Sequence, residues 1–181
     1  MSPAVTDLAG VLAASGQLVT VGDGARLSVV VEADWRAQAL AEMIAQVGLS
    51  AEITHTDEGS PLVRTSVEPA LIGLADDWTV GAVKQVPRAW VPGPRELRAW
   101  TLAAGRREAE RYLLGLDPHA PDTYAVLASA LMRVGIAPTL VGNRGARPGL
   151  RIVGRRRLLR LLENIGDAPA DPSAALSWPQ V

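Results

Sequence analysis

The chain matches itself. Residues 47–78, VGLSAEITHTDEGSPLVRTSVEPALIGLADDW, lie without a gap over residues 134–165, VGIAPTLVGNRGARPGLRIVGRRRLLRLLENI, at an offset of 87. Val47-Gly48 meets Val134-Gly135, Pro61 meets Pro148, Arg64 meets Arg151, and Leu71 and Leu74 meet Leu158 and Leu161. A turn, a helix end and a proline agreeing in one register point to an internal duplication. At 181 residues the chain is one domain, or two small halves sharing a core.

A second repeated stretch sets how the halves meet. LAGVLAASG (Leu8 to Gly16) and LRAWTLAAG (Leu97 to Gly105) each mix small residues with Leu, Val or Trp and end in Gly. Small residues let two helix backbones approach, and a closing Gly suits a left-handed helix end. The two helices are expected to pack together as a central seam. They align at an offset of 89, which places a two-residue shift within the first hairpin.

Between these landmarks each half reads αββαββα. Residues 1–16 form the first helix, and strands 17–22 and 26–32 flank the turn Gly22-Asp23-Gly24. Asp34 is expected to cap a helix that Gly48 closes. A second hairpin turns at Asp57–Pro61, and PALIGLADDW is a short helix. In the second half, a helix over Leu97–Arg106 precedes a strand pair around Arg107–Ala109 and Tyr112–Leu116. An Asp122-capped helix, strands TLVGN and GLRIVG, and a helix ending at Gly166 complete the unit. The expected class is α+β, with antiparallel sheets packed on helices around a central helix pair. The units are 1–78 and 96–166. A stiff linker at 79–95 with Pro87, Pro92 and Pro94 joins them, and a flexible tail follows at 167–181.

Composition excludes several chemistries. There is no Cys, so no disulfide or thiolate metal site. No apolar run of about 18 residues predicts a transmembrane helix, and no signal-peptide pattern opens the chain, so a cytoplasmic protein is expected. No acid or base stands at metal-ligand spacing from His55 or His119. Gly22–Gly24 and Gly142–Gly145 read as hairpin turns, not phosphate loops, because neither precedes a helix. No Ser/His/Asp set assembles by spacing. No metal or cofactor site is read.

Charge is the remaining signal. Residues 1–90 hold five basic and eleven acidic residues, a balance of −6; residues 91–181 hold thirteen and eight, a balance of +5. Alternation in LVRTSV puts Arg64 on the face opposite Val63 and Thr65. If the β-branched face packs on helices, Arg64 and Arg151 project from an open sheet at matching positions. The candidate nucleic-acid-binding residues are Arg64, Arg107, Arg144, Arg147, Arg151, Arg155 and Arg156. The alternative is that these arginines solvate a surface and pair with the acidic first half. Trp178, near the end of the tail, is a candidate for docking a protein partner, or tucks back onto the domain.

Two αββαββα repeats, LAGVLAASG at 8–16, and the linker sequence Lys84-Gln85-Val86-Pro87 followed by Leu97-Arg98-Ala99-Trp100 together resemble the single-chain LAGLIDADG homing endonucleases. The resemblance implies a sheet that straddles DNA in the major groove, where the candidate arginines would contact phosphates or guanine edges. In those enzymes the residue before each closing Gly is acidic, and the two carboxylates hold divalent metal. The matching positions here are Ser15 and Ala104, which offer no carboxylate. The chain is in this respect similar to the catalytically inactive domain of WhiA-type regulators. The resemblance therefore implies a protein that is not an enzyme and that binds double-stranded DNA or assists a DNA-associated complex. An alternative is an interaction module that holds a protein partner by its sheet face or its Trp178 tail. A third reading, an active nuclease using remote acids such as Asp23 or Asp117, is the least favoured.

Overall fold

The computed structural model describes residues 1–181. Two units of the same order follow one another. In the first, a 3-10 turn at Val5–Leu8 runs into α1 (Ala9–Ala13), then β1 (Gln17–Val21), β2 (Gly24–Val30), α2 (Asp34–Gln46), β3 (Ala51–His55), β4 (Pro61–Thr65) and α3 (Ile72–Trp78). In the second come α4 (Pro94–Ala104), β7 (Gly105–Glu108), β8 (Arg111–Gly115), α5 (Tyr124–Arg133), β9 (Thr139–Val141), β10 (Gly149–Ile152) and α6 (Arg155–Ile165). Each unit builds a four-stranded antiparallel sheet, β1-β2-β4-β3 and β7-β8-β10-β9.

The registers place the two-residue shift differently from the sequence expectation. Within each hairpin the offset of 87 holds. Leu18 faces Leu27 as Gly105 faces Leu114, and Thr54 faces Leu62 as Val141 faces Gly149. The slips lie at the joins. Ser28 faces Arg64 between the hairpins of the first sheet, whereas its counterpart Gly115 faces Gly149, two residues short of Arg151. Three residues separate α1 from β1, while α4 runs straight into β7.

Helices α1 and α4 pack as the seam. Gly10 is the point of closest approach: a Cβ there would stand 2.8 Å from Trp100 N and 2.9 Å from Ala99 Cβ, and would collide with the carbonyl of Glu96. Glycine is required at this crossing because the opposite backbone occupies the space a side chain would fill. The closing glycines have a different role from the one expected. Gly105 is extended (φ −75°, ψ 137°), and Gly16 is not among the glycines with positive φ. A Cβ on Gly16 would lie 2.5 Å from the Val11 carbonyl oxygen, and one on Gly105 would lie 2.6 Å from that of Thr101. Close approach by the Val11 carbonyl at Gly16, and by the Tyr112 hydroxyl and Thr101 carbonyl at Gly105, accounts for them rather than a left-handed cap. Gly48 and Gly166 do close their helices, at φ +84° and +70°.

Neither expected aspartate cap forms. Ala33 precedes α2 without a side-chain cap, and Asp34 Oδ1 instead meets His55 Nε2 at 3.1 Å on the exposed surface. Asp122 lies in the Pro121–Thr123 turn, where Thr123 Oγ1 donates to the Ala120 carbonyl (2.7 Å). The linker is also more structured than expected. It forms a small hairpin, β5 (Thr79–Val80) with β6 (Val83–Lys84), and its last residues start α4. Trp90 stacks edge-on against Trp78 at 5.0 Å and lies 6.4 Å from Trp100, which fixes the linker to the seam.

Alternation decides which sheet faces are covered. Leu27, Val29, Val63 and Thr65 are buried on one side of the first sheet, and Tyr112, Leu114, Leu150 and Ile152 on one side of the second. The apolar ones among these join Leu8, Leu12, Leu97 and Trp100 in one core that spans both units. The opposite side of each sheet carries no helix-facing core, although on the second sheet Leu113 is buried there between Arg106 and Arg151.

The tail is ordered rather than flexible, and of the two readings of Trp178 the one in which it tucks back onto the domain holds. Residues Pro172–Ser177 form α7, and Trp178 is 4% exposed. Its Nε1 donates to the Gly166 carbonyl (2.8 Å), and the Arg98 guanidinium lies 5.3 Å from the ring centroid. A buried indole with its one donor satisfied is not free to dock a partner.

Candidate nucleic-acid interface

On the open side of the first sheet stand Arg26 and Ser28 of β2, Glu52 of β3 and Arg64 of β4. The register sets Ser28 and Glu52 opposite Arg64. On the second sheet the same side carries Arg106 and Glu108 of β7, Arg111 of β8 and Arg151 of β10. Arg151 Nε donates to Glu108 Oε2 at 3.1 Å, while Arg64 is exposed without a carboxylate partner. The two open faces meet. Val30 of the first sheet and Arg106 and Gly115 of the second line one cleft of about 280 Å³ at the foot of the seam, together with Ser15, Ala104 and Arg147.

The candidate arginines divide into groups. Arg64 and Arg151 project from the open faces. Arg147 reaches across the cleft to Glu32, pairing the β9–β10 turn with the β2–α2 loop, and Arg144 is exposed in the same turn. Arg107 lies elsewhere: it faces Tyr112, whose side chain is on the helix-covered side. Arg155 and Arg156 begin α6, whose Leu158, Leu161 and Ile165 join the core in the helical layer. Helix and sheet periodicity thus separate these three from the open face. Arg155–Arg157 also place positive charge at the positive end of a helix dipole.

The foot of the seam gathers Lys84 and Asp117, which the sequence offers only as a linker residue and a remote acid, with Arg36 and Gln17, which it does not single out. The last carbonyls of a helix carry partial negative charge, and here each seam helix ends on a cation. The Ala14 carbonyl at the end of α1 accepts from Lys84 Nζ at 3.0 Å. The carbonyls of Thr101 and Leu102, at 3.0 and 2.9 Å, and that of Gly105 accept from the Arg36 guanidinium, which stacks 4.5 Å above the Trp35 ring. Lys84 Nζ also pairs with Asp117 Oδ2 at 2.9 Å. Gln17 Nε2 donates to the same oxygen at 2.8 Å, and His119 N to Asp117 Oδ1 at 2.9 Å. Burial pushes the Asp117 carboxyl up, but Lys84, His119 and Gln17 together hold it below its ordinary range. Burial pushes Lys84 and Arg36 down, against the nearby negative charge. Lys84 is the only lysine in the chain, but no spacing in the sequence joins it to Asp117.

A divalent cation needs charged oxygens with room for metal. Ser15 and Ala104 carry none, both Asp117 oxygens already accept hydrogen bonds, and Glu32 is paired with Arg147. This donor set does not fit a metal.

The architecture is a LAGLIDADG-like α+β fold of two repeated units. Solved structures bear it out along nearly the whole chain. The homing endonuclease I-WcaI bound to its DNA recognition sequence superposes with a TM-score of 0.67 at 10% identity, covering 98% of this chain and 87% of that one. The N-terminal LAGLIDADG domain of DUF199/WhiA gives 0.61 at 16% identity, covering 90% and 81%. I-DmoI in complex with DNA and Ca gives 0.59 at 14% identity, covering 95% and 97%. No family model matches the sequence, and no curated protein matches it. No helix is long and apolar enough to cross a membrane.

Proposed function

We propose that this protein binds duplex DNA across its joined open sheet faces and does not cleave it, so that its role is regulatory or accessory. The observation that carries the reading is the pair of open sheet faces, joined at the cleft that Val30 and Arg106 line, from which Arg26, Arg64, Arg106, Arg111 and Arg151 project. Arginines on such a surface neutralise phosphates and can pair with guanine. The solved structures of like fold that hold DNA support the same reading. Catalytic inactivity is supported by the foot of the seam, where Lys84 and Arg36 cap the helix ends and no carboxylate is free. A buried ammonium and guanidinium there oppose the approach of a metal ion by charge alone.

Fluorescence anisotropy with duplex DNA across a salt series tests the binding. Affinity should fall steeply as salt rises, and replacing Arg64 and Arg151 with Gln should lower the slope by about one each. No binding at low salt overturns the reading. Nicking of supercoiled plasmid in Mg²⁺ or Mn²⁺ overturns the inactivity.

A further inference from the structure

The two open faces differ at matching positions. Val19 and Val21 of β1 correspond, at the offset of 87, to Arg106 and Glu108 of β7. Val19, Val21 and Val30 are 57%, 49% and 45% exposed. They share the open side with Arg26, which stands opposite Val19, and with Arg64. A solvent-facing side of an antiparallel sheet ordinarily carries polar residues, so three exposed valines on one side need a reason. Val30 lines the same cleft as Arg106 and Arg147, while Val19 and Val21 lie further along the open side, at the level of Arg26 and Gly24.

In the major groove the one apolar group on a base edge is the thymine C5-methyl, while arginine pairs with guanine through two hydrogen bonds. The geometry points to an asymmetric duplex target, thymine-rich under the first sheet and guanine-rich under the second. Val19, Val21 and Val30 meet thymine methyls, with Arg26 and Arg64 holding the flanking phosphates. Arg106, Arg111 and Arg151 meet guanine edges and phosphates. This assignment rests on the DNA-binding reading above and adds what each half recognises. Charge favours DNA as the occupant, because the valines share the open sides with Arg26, Arg64, Arg106, Arg111 and Arg151, against which stand only Glu52 and Glu108 on the same strands.

The test compares two duplexes of roughly two helical turns. In the first, one half is all A·T and the other all G·C. The second is identical except that deoxyuridine replaces every thymidine, which removes only the methyl groups. Anisotropy at low salt should show the uracil duplex binding the protein roughly tenfold more weakly, as the loss of several methyl contacts requires. The Val19→Ser/Val21→Ser/Val30→Ser variant should bind both duplexes alike. The single variants Val19→Ser and Val21→Ser should each lose part of the preference, which keeps the test usable if the triple variant folds poorly. Equal binding of both duplexes by the unaltered protein overturns the assignment and leaves DNA binding standing. A uracil penalty that persists undiminished in the valine variants overturns it too. If neither duplex binds, the underlying reading falls with it.

Discussion

Lys84 Nζ lies 2.9 Å from Asp117 Oδ2, and the two side chains are only 7% and 3% exposed. The pair joins the linker hairpin to the loop after β8, and Gln17 adds the start of β1. Breaking a buried pair strands the other charge, at a cost of about 3–5 kcal/mol, whereas replacing both partners with apolar residues is far less costly. Lys84→Met and Asp117→Leu should therefore each destabilise strongly, and the double variant much less than the two together. A double-mutant cycle in urea measures this.

The pH profile follows from the same carboxylate. Asp117 is held below its ordinary range in the folded protein, so the unfolded chain takes up the proton first as pH falls. Its contribution to stability is present above the ordinary Asp value and is lost as pH drops through the folded value. Asp117→Asn should flatten the acid side of the stability curve recorded by urea melts.

Glu96 behaves oppositely. Burial raises its carboxyl above the ordinary value, outweighing the nearby Trp90 and the Gly93 backbone, and its Oε2 has no hydrogen-bond partner. The native state then holds the proton more tightly, and stability falls as pH rises through the folded value. Glu96→Gln keeps an acceptor for the start of α4 and removes the charge. It should raise stability at neutral pH and leave acid stability nearly unchanged.

Glycine-to-alanine changes should split by site. Gly10→Ala drives a methyl into the backbone of α4 and should cost about 3 kcal/mol or more, as overpacking does. Gly73→Ala, in α3 with nothing within 4 Å, should gain roughly 0.5–1 kcal/mol from helix propensity. Thermal melts of the pair separate seam packing from propensity.

Trp178→Ala removes a buried ring, its bond to Gly166 and the Arg98 contact. The expected loss is about 3 kcal/mol, read in urea at neutral pH.

The repeat, the order of elements, the hairpins, the helix ends at Gly48 and Gly166 and the open-face placing of Arg64 and Arg151 were legible in the chain. Each is a local property, set by side-chain period, turn residues or one residue's permitted φ, and such properties repeat where the sequence repeats. The small residues of the seam were legible too, though not that Gly16 and Gly105 answer a clash rather than a left-handed turn. What neighbours in sequence could not show was pairing over long separations. Lys84 meeting Asp117, Arg36 reaching the end of α4, Arg107 falling on the covered side and the choice of Gly166 as the partner of a Trp178 that the sequence leaves between docking and tucking back all depend on where distant elements come to rest. Those placements follow from burying one core between two units, and tertiary packing alone decided them.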